Sequence, residues 1–457
     1  MTSIAASHSV TEAATFRRII KTWWPLAASW LLMAVEIPVI GAVMARLANP
    51  EINLAAYGGI VMPLALIIES PIIMLLAAST TLSKDWDSYQ KIRRYMLAAG
   101  FTLTVLHALV AFTPLYYVFV KGILGSPAEI VEPGRLGLMI MLPWSWAIAY
   151  RRFNQGVLIR FGYSRDIGIG TAVRLGTEVI VVLLGSLLTT LPGIAVGAAG
   201  VATGVVAESA FIGWRVQPVL RGKLRLAPKV EHPLTMRSFM VFYVPLVMTA
   251  LLSLMIEPLG SAAISRMPEA IASLAVWPVI HGILFMLQSP GIALNEVVVT
   301  FLDERRAARP LRTFTFIIIA VTSGLLLLMA ATPLAELWFS KVAALPPTLV
   351  NMARNGLWLM LPMPAMAALQ SWFQGTILHS RRTRGITESV VVYLVVVGGL
   401  LLAGVTIGQF TGLYAGLVAF TIGVILQTTW LGFRSRIARK QNLVSGEPAS
   451  PQATVVL

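Results

Sequence analysis

The stretch MLPWSWAIAYRRFNQG at residues 141–156 returns as MLPMPAMAALQSWFQG at residues 360–375. Met141-Leu142-Pro143 meets Met360-Leu361-Pro362 and Gln155-Gly156 meets Gln374-Gly375, each 219 residues on (360 less 141). The same spacing joins Gly137-Leu138 to Gly356-Leu357, Thr113-Pro114-Leu115 to Thr332-Pro333-Leu334, and Ser70-Pro71 to Ser289-Pro290. Nearer the start, after a slip of one residue, Pro25, Pro38 and Arg46 meet Pro245, Pro258 and Arg266. A register held over this length with almost no gaps marks an internal duplication.

Twelve apolar segments carry the two copies, at 19–46, 53–83, 94–120, 134–160, 166–191, 193–217, 238–265, 270–301, 312–339, 353–379, 385–408 and 411–434. A helix crosses a bilayer with about 20 apolar residues, so each segment is long enough to span. Six spans per copy is an even number, which gives both copies one orientation and relates them by an axis along the membrane normal. The expected fold is therefore an all-α membrane protein of twelve transmembrane helices in two six-helix bundles with a pseudo-two-fold axis along the normal. Its parts are an N-terminal segment 1–18, a first bundle 19–218, a basic linker 219–237, a second bundle 238–436 and a disordered tail 437–457. Two bundles around a central cleft is a transporter's architecture.

Composition agrees. Of 457 residues, 57% are hydrophobic and 12% charged, cysteine is absent and mean hydropathy is +0.79. Soluble domains carry roughly a quarter charged residues, so an ordinary water-facing enzyme is excluded. The net charge of +15 does not indicate a nucleic-acid partner, because the basic residues fall in alternate loops. Arg17, Arg18 and Lys21 precede the first span, Arg221, Lys223 and Arg225 follow the sixth, Arg305, Arg306, Arg309 and Arg312 follow the eighth, and Arg381, Arg382 and Arg384 follow the tenth. The positive-inside rule then places both termini in the cytoplasm, in what reads as a prokaryotic plasma membrane. The N-terminal segment lacks a basic-then-apolar signal pattern.

Ionisable groups inside a membrane are costly and mark function by default. Arg151, Arg152 and Gln155 share one face of the fourth span, and Gln370, Ser371 and Gln374 stand at the equivalent places of the tenth. At about 1.5 Å per residue, the two arginines lie roughly 12 Å inside the helix end at Arg160. Arg174 and Glu208 reach a similar depth on spans five and six, and Glu178, four residues on from Arg174, is its expected ion-pair partner. Three arginines against Glu178 and Glu208 leave one positive charge for a bound anion to neutralise. Glu69, beside Ser70-Pro71, has the non-titrating mate Gln288 and is the coupling candidate, for H+ or Na+, with Glu178 and Glu208. The candidate substrate-binding residues are Arg151, Arg152, Gln155, Arg174, Gln288, Gln370, Gln374 and His281, a lone mid-span histidine. Pro38, Pro71, Pro258 and Pro290 kink helices that move during gating. Glu36 and Glu257 sit near Pro38 and Pro258, towards the outer ends of spans one and seven. No P-loop, HExxH motif, cysteine ligand or Ser-His-Asp set is present, so no enzyme, cofactor or metal site is expected and transport would run on a gradient.

Several short motifs carry a likeness: Trp23-Trp24-Pro25-Leu26-Ala27 and Tyr243-Val244-Pro245-Leu246 at the starts of the copies, Ala55-Ala56-Tyr57-Gly58, Trp277-Pro278-Val279-Ile280-His281, Phe153-Asn154-Gln155-Gly156 and Phe373-Gln374-Gly375. By these the chain resembles the MOP superfamily of exporters, which includes MATE drug transporters and lipid-linked oligosaccharide flippases, and within it most resembles the progressive ankylosis (ANK) family. That resemblance implies alternating access and a glycine-containing turn at the ends of spans four and ten. It also implies export of anionic metabolites such as citrate, nucleotides or pyrophosphate. The expected function is secondary export of an anionic carboxylate or phosphate solute. The alternatives are a flippase for a lipid-linked phosphate-sugar and a multidrug exporter.

Overall fold

The computed structural model describes residues 15–187, 190–231, 233–302, 308–379 and 384–445, and every regular element among them is helical. The long helices are α1 (Phe16–Met44), α2 (Pro50–Leu82), α3 (Trp86–Phe112), α4 (Ala128–Ile140 and Leu142–Arg160), α5 (Ser164–Leu187), α6 (Gly193–Leu224), α7 (Met236–Ile264), α8 (Ala270–Phe301), α9 (Ala308–Ala331), α10 (Pro347–Leu359 and Met363–His379), α11 (Arg384–Ile407) and α12 (Gly412–Ser445). Ten of these are long and apolar enough to cross a membrane. The other two, α4 and α10, carry the polar stripe, which lowers their hydropathy; the expected count of twelve is consistent with this arrangement. The terminal segments 1–14 and 446–457, and the loop arginines Arg305, Arg306, Arg381 and Arg382, lie outside the described residues.

Boundaries follow local chemistry. Thr15 caps α1, Asp85 caps α3, and Thr235 with Ser238 forms a capping box that starts α7. Thr113-Pro114 and Thr332-Pro333 stop α3 and α9 before the expected ends at 120 and 339, because proline lacks the N–H that the next turn needs. Each stop leads into a short helix ending in a π-turn, at Val118–Leu124 and Trp338–Val342. The last helix runs to Ser445, past the expected boundary at 436 and into the segment read as disordered. Ala438, Arg439, Lys440, Gln441 and Leu443 are good helix formers, and the next glycine after Gly432 comes only at 446.

The repeat is visible in the breaks. Helix α2 is interrupted at Met74, just after Pro71, and α8 at Ala293, just after Pro290. In α7 the ladder breaks at Met255, before Pro258, whereas α1 runs as one helix through Pro38. Of the four expected proline kinks, the one at Pro38 thus gives no interruption. The first helix of each half lies on the other half. Trp23 Nε1 of α1 donates to the Pro290 carbonyl of α8 at 2.9 Å, and Tyr243 Oη of α7 donates to the Pro71 carbonyl of α2 at 2.5 Å. Trp23 and Tyr243 are repeat mates, as are the two prolines.

The linker is shorter than expected, since α6 ends in a π-turn at Leu220–Leu224 and α7 begins at Met236. It is docked on α3: Lys91 Nζ donates to the Leu234 carbonyl at 2.7 Å, and Arg225 lies over the Trp86 ring. Asp85 accepts the Ser88 N–H at 2.9 Å and the Val230 N–H at 3.2 Å. Burial works against the Asp85 charge, but the hydrogen bonds from Ser88 and Val230 outweigh it and hold the carboxyl below its usual range. The contribution is therefore complete above the ordinary aspartate value of about 4 and is lost as pH falls through the lowered folded value. Asp85→Ala is expected to cost about 1–2 kcal/mol at neutral pH, with the difference from the parent shrinking as the solution is acidified below the ordinary aspartate range, as read by thermal unfolding across pH.

Candidate functional site

The charged side chains of the first half converge. Arg151 of α4 forms a buried ion pair with Glu208 of α6, and Gln155, one turn along α4, donates to the other Glu208 oxygen at 3.0 Å. Arg174 of α5 pairs with Glu36 of α1 and approaches Glu208 at 3.8 Å. Glu69 of α2 is buried, with Arg152 and Arg151 as its main charged neighbours. Glu178 of α5 is buried near Glu36, Arg174 and Tyr57.

Three expectations are corrected. First, Glu178 is not the partner of Arg174: the guanidinium reaches across to Glu36 and Glu208, and both Glu178 oxygens are buried with no hydrogen-bond partner among the described residues. Spacing along one helix did not decide the pairing because α1 and α6 offered carboxylates at closer range. Second, the positive surplus disappears. Glu36, Glu69, Glu178 and Glu208 face Arg151, Arg152 and Arg174, so the cluster carries one acid more than it has bases. Third, Gly156 and Gly375 form no turn; both are helical, within α4 and α10.

Glu36 is the residue that sequence reading missed, having been placed nearer the outer end of its span. The available signal was an acid two residues before a proline in an otherwise apolar helix. Arg152 is half-buried and has no ion pair or hydrogen bond among the described residues.

The second half has a neutral version of the same site. Gln370 Nε2 donates to Gln427 Oε1 and to Thr428 Oγ1, each at 3.1 Å. Gln370 and Gln427 stand 219 residues after Arg151 and Glu208, so an amide pair replaces the ion pair. Gln374 accepts from Asn295 at 3.2 Å, and Gln288 donates to the Met363 carbonyl at 3.3 Å. His281 stands apart from this set. Its Nδ1 meets the Trp277 carbonyl at 2.9 Å, its ring lies 4.2 Å from the Trp277 ring, and its Nε2 is buried without a partner among the described residues. Trp277 Nε1 in turn donates to Glu257 at 3.3 Å. Among the described residues no group of His, Asp and Glu is placed to hold a metal ion.

No family model matches the chain, and no curated protein matches it closely enough to place it. Solved structures do. An inward-facing multidrug resistance MATE family transporter of the MOP superfamily is 14% identical over 91% of this chain and 99% of its own, with a TM-score of 0.69. A MOP superfamily transporter from Pyrococcus furiosus is 14% identical over 94% of this chain and 96% of its own, with a TM-score of 0.64. An outward-facing multidrug resistance MATE transporter is also 14% identical, over 93% and 96%, with a TM-score of 0.62. At these identities the likeness establishes architecture: the chain has the fold of the MATE transporters of the MOP superfamily.

Proposed function

We propose that this protein is a secondary transporter that moves its solute by alternating access and is coupled, through the charged cluster of the first half, to H+ or Na+. The observation that carries the reading is Glu178. A buried charge left unpaired costs several kcal/mol, so a cation arriving there relieves a large penalty. Its neighbour is the Arg174–Glu36 pair, which ties α5 to α1, and α1 is the helix that rests on the other half. Occupancy of Glu178 thus acts on the contact between the bundles. The neutral Gln370–Gln427 mate supports a division of labour in which coupling belongs to one half.

The MATE structures solved inward- and outward-facing support two states of one scaffold. The loop charges support cytoplasmic termini in a prokaryotic plasma membrane. With Glu178 taking the coupling cation, three acids face three bases; the cluster keeps no positive surplus for an anion, which supports a neutral or cationic solute and the multidrug-exporter reading. Export of an anionic carboxylate or phosphate compound is the second reading, resting on Arg152, which has no ion pair or hydrogen bond among the described residues, and on the ANK resemblance. A lipid-linked phosphate-sugar would use the same guanidinium. Flux of organic cations, organic anions and phosphate esters by purified protein in liposomes separates these.

Coupling has its own test. Glu178→Gln is expected to flatten the pH dependence of transport at least about ten-fold while leaving the protein as stable as the parent, because the amide removes a charge that has no partner. Full pH dependence in this variant removes Glu178 as the carrier. If Glu69→Gln flattens the profile instead, the proton resides at Glu69.

A further inference from the structure

We infer that Arg46 and Arg266 are paired latches that hold the cleft shut on the face opposite the basic loops, the face that the loop charges assign to the outside. This deepens the alternating-access reading and rests on it.

Each arginine ends the first helix of one half and reaches the π-turn of the other. Arg46, after α1, donates from Nη2 to the Lys341 carbonyl at 2.7 Å and from Nη1 to the Val342 carbonyl at 3.0 Å. Arg266, after α7, donates from Nη2 to the Ile123 carbonyl at 2.7 Å and from Nη1 to the Leu124 carbonyl at 2.7 Å. Each also donates to its own helix, Arg46 to Ala42 at 2.7 Å and Arg266 to Ala262 at 2.6 Å. The accepting carbonyls close short helices, whose last carbonyls have no intrahelical donor and present the negative end of the helix dipole. A guanidinium satisfies several of them at once.

The backbone around both contacts is matched as well. Three residues after each arginine stands a left-handed residue, Asn49 at φ 52° and Glu269 at φ 55°. The π-turns are followed by Gly125 at φ 64° and its mate Ala344 at φ 54°. A left-handed alanine costs about 1 kcal/mol, and such strain persists where the surroundings enforce it. A Cβ on Gly125 would fall 2.8 Å from Arg266 Cζ, so any larger residue there pushes that guanidinium off its present position. Beneath the latches the halves touch through Pro278 on Gly58 and through Ser261, whose hydroxyl donates to the Gly59 carbonyl. A small apolar cavity there is lined by Pro38, Leu54, Pro278, Val279, Trp338 and Val342.

Opening on this face has to pull both arginines off their carbonyls. The chain has no cysteine, so a single Val279→Cys reports access beneath the latches and a single Val157→Cys, at a buried position in α4, reports unfolding. Labelling by a charged, water-soluble maleimide is expected to rise at the Val279 position about five-fold in Arg46→Ala or in Arg266→Ala, and about 25-fold in the double variant. Gly125→Ala, which keeps both arginines but crowds the Arg266 guanidinium, should raise labelling less than Arg266→Ala does. Reactivity at the Val157 position should stay at the parent level throughout. A Val279 position that ignores all the variants overturns the latch, and so does parallel labelling at both positions, which would make the arginines props of the fold. Flux in liposomes is scored separately, so a failed transport reading is not confused with a failed latch.

Discussion

Arg151→Gln or Glu208→Gln alone is expected to destabilise the protein by about 3–5 kcal/mol, and the two together to restore most of the loss. Both partners are buried, so either single change strands a buried charge without its partner. Loss of Arg151 falls at the lower end of the range, because Arg174 still stands 3.8 Å from Glu208. Loss of Glu208 deprives Arg151 of its partner and Gln155 of its acceptor. The double variant writes into the first half the amide pair that Gln370 and Gln427 already form in the second. Thermal unfolding in detergent reads the three proteins directly. A double variant no more stable than the singles would mean that the two halves do not share this geometry.

Gly156→Ala is expected to cost about 3 kcal/mol or more, the upper range for forced overpacking. A Cβ there would lie 2.5 Å from the Leu76 carbonyl oxygen, 2.6 Å from Ser79 Cβ and 2.9 Å from the Thr80 nitrogen. Two of these are backbone atoms of α2, so no rotamer change relieves the clash and the helices must part. Gly375→Ala should be milder, about 1–2 kcal/mol, because its nearest obstacle at 2.7 Å is the Val298 side chain. Equal and small effects at both positions, measured by unfolding, would show that α4 and α2 are not held at this distance.

That glycine shows where sequence reading succeeds and where it stops. The repeat Gln155-Gly156 and Gln374-Gly375 was visible, and with it the duplicated helical fold. Its meaning was not, because a helix-to-helix approach is a property of two segments and the sequence displays one. The same holds for Arg174. Spacing of four residues pointed to Glu178, while its observed partners lie on α1 and α6. Adding Glu36 and Glu69 to the tally removed the formal surplus of bases, and with it the charge argument for an anionic solute. Helix interruptions lie close to Pro71, Pro258 and Pro290, whereas α1 runs as one helix through Pro38. Arg46 and Arg266 were legible as repeat mates, but their carbonyl acceptors arise from π-turns that no periodicity announces.

The crossing of each first helix onto the opposite half has a consequence for how the molecule is made. The hydrogen bond from Trp23 to Pro290 spans 267 residues of chain. At about 5–20 residues per second, a ribosome takes roughly 13–53 s to supply the acceptor after the donor has emerged. During that interval α1 resides in the lipid beside an unfinished partner, with Trp23 unsatisfied and Glu36 dependent on a helix that is itself still being synthesised. Biogenesis therefore includes a waiting period in which the first span is held by lipid or by the insertion machinery, and truncation before α8 should leave it open to degradation.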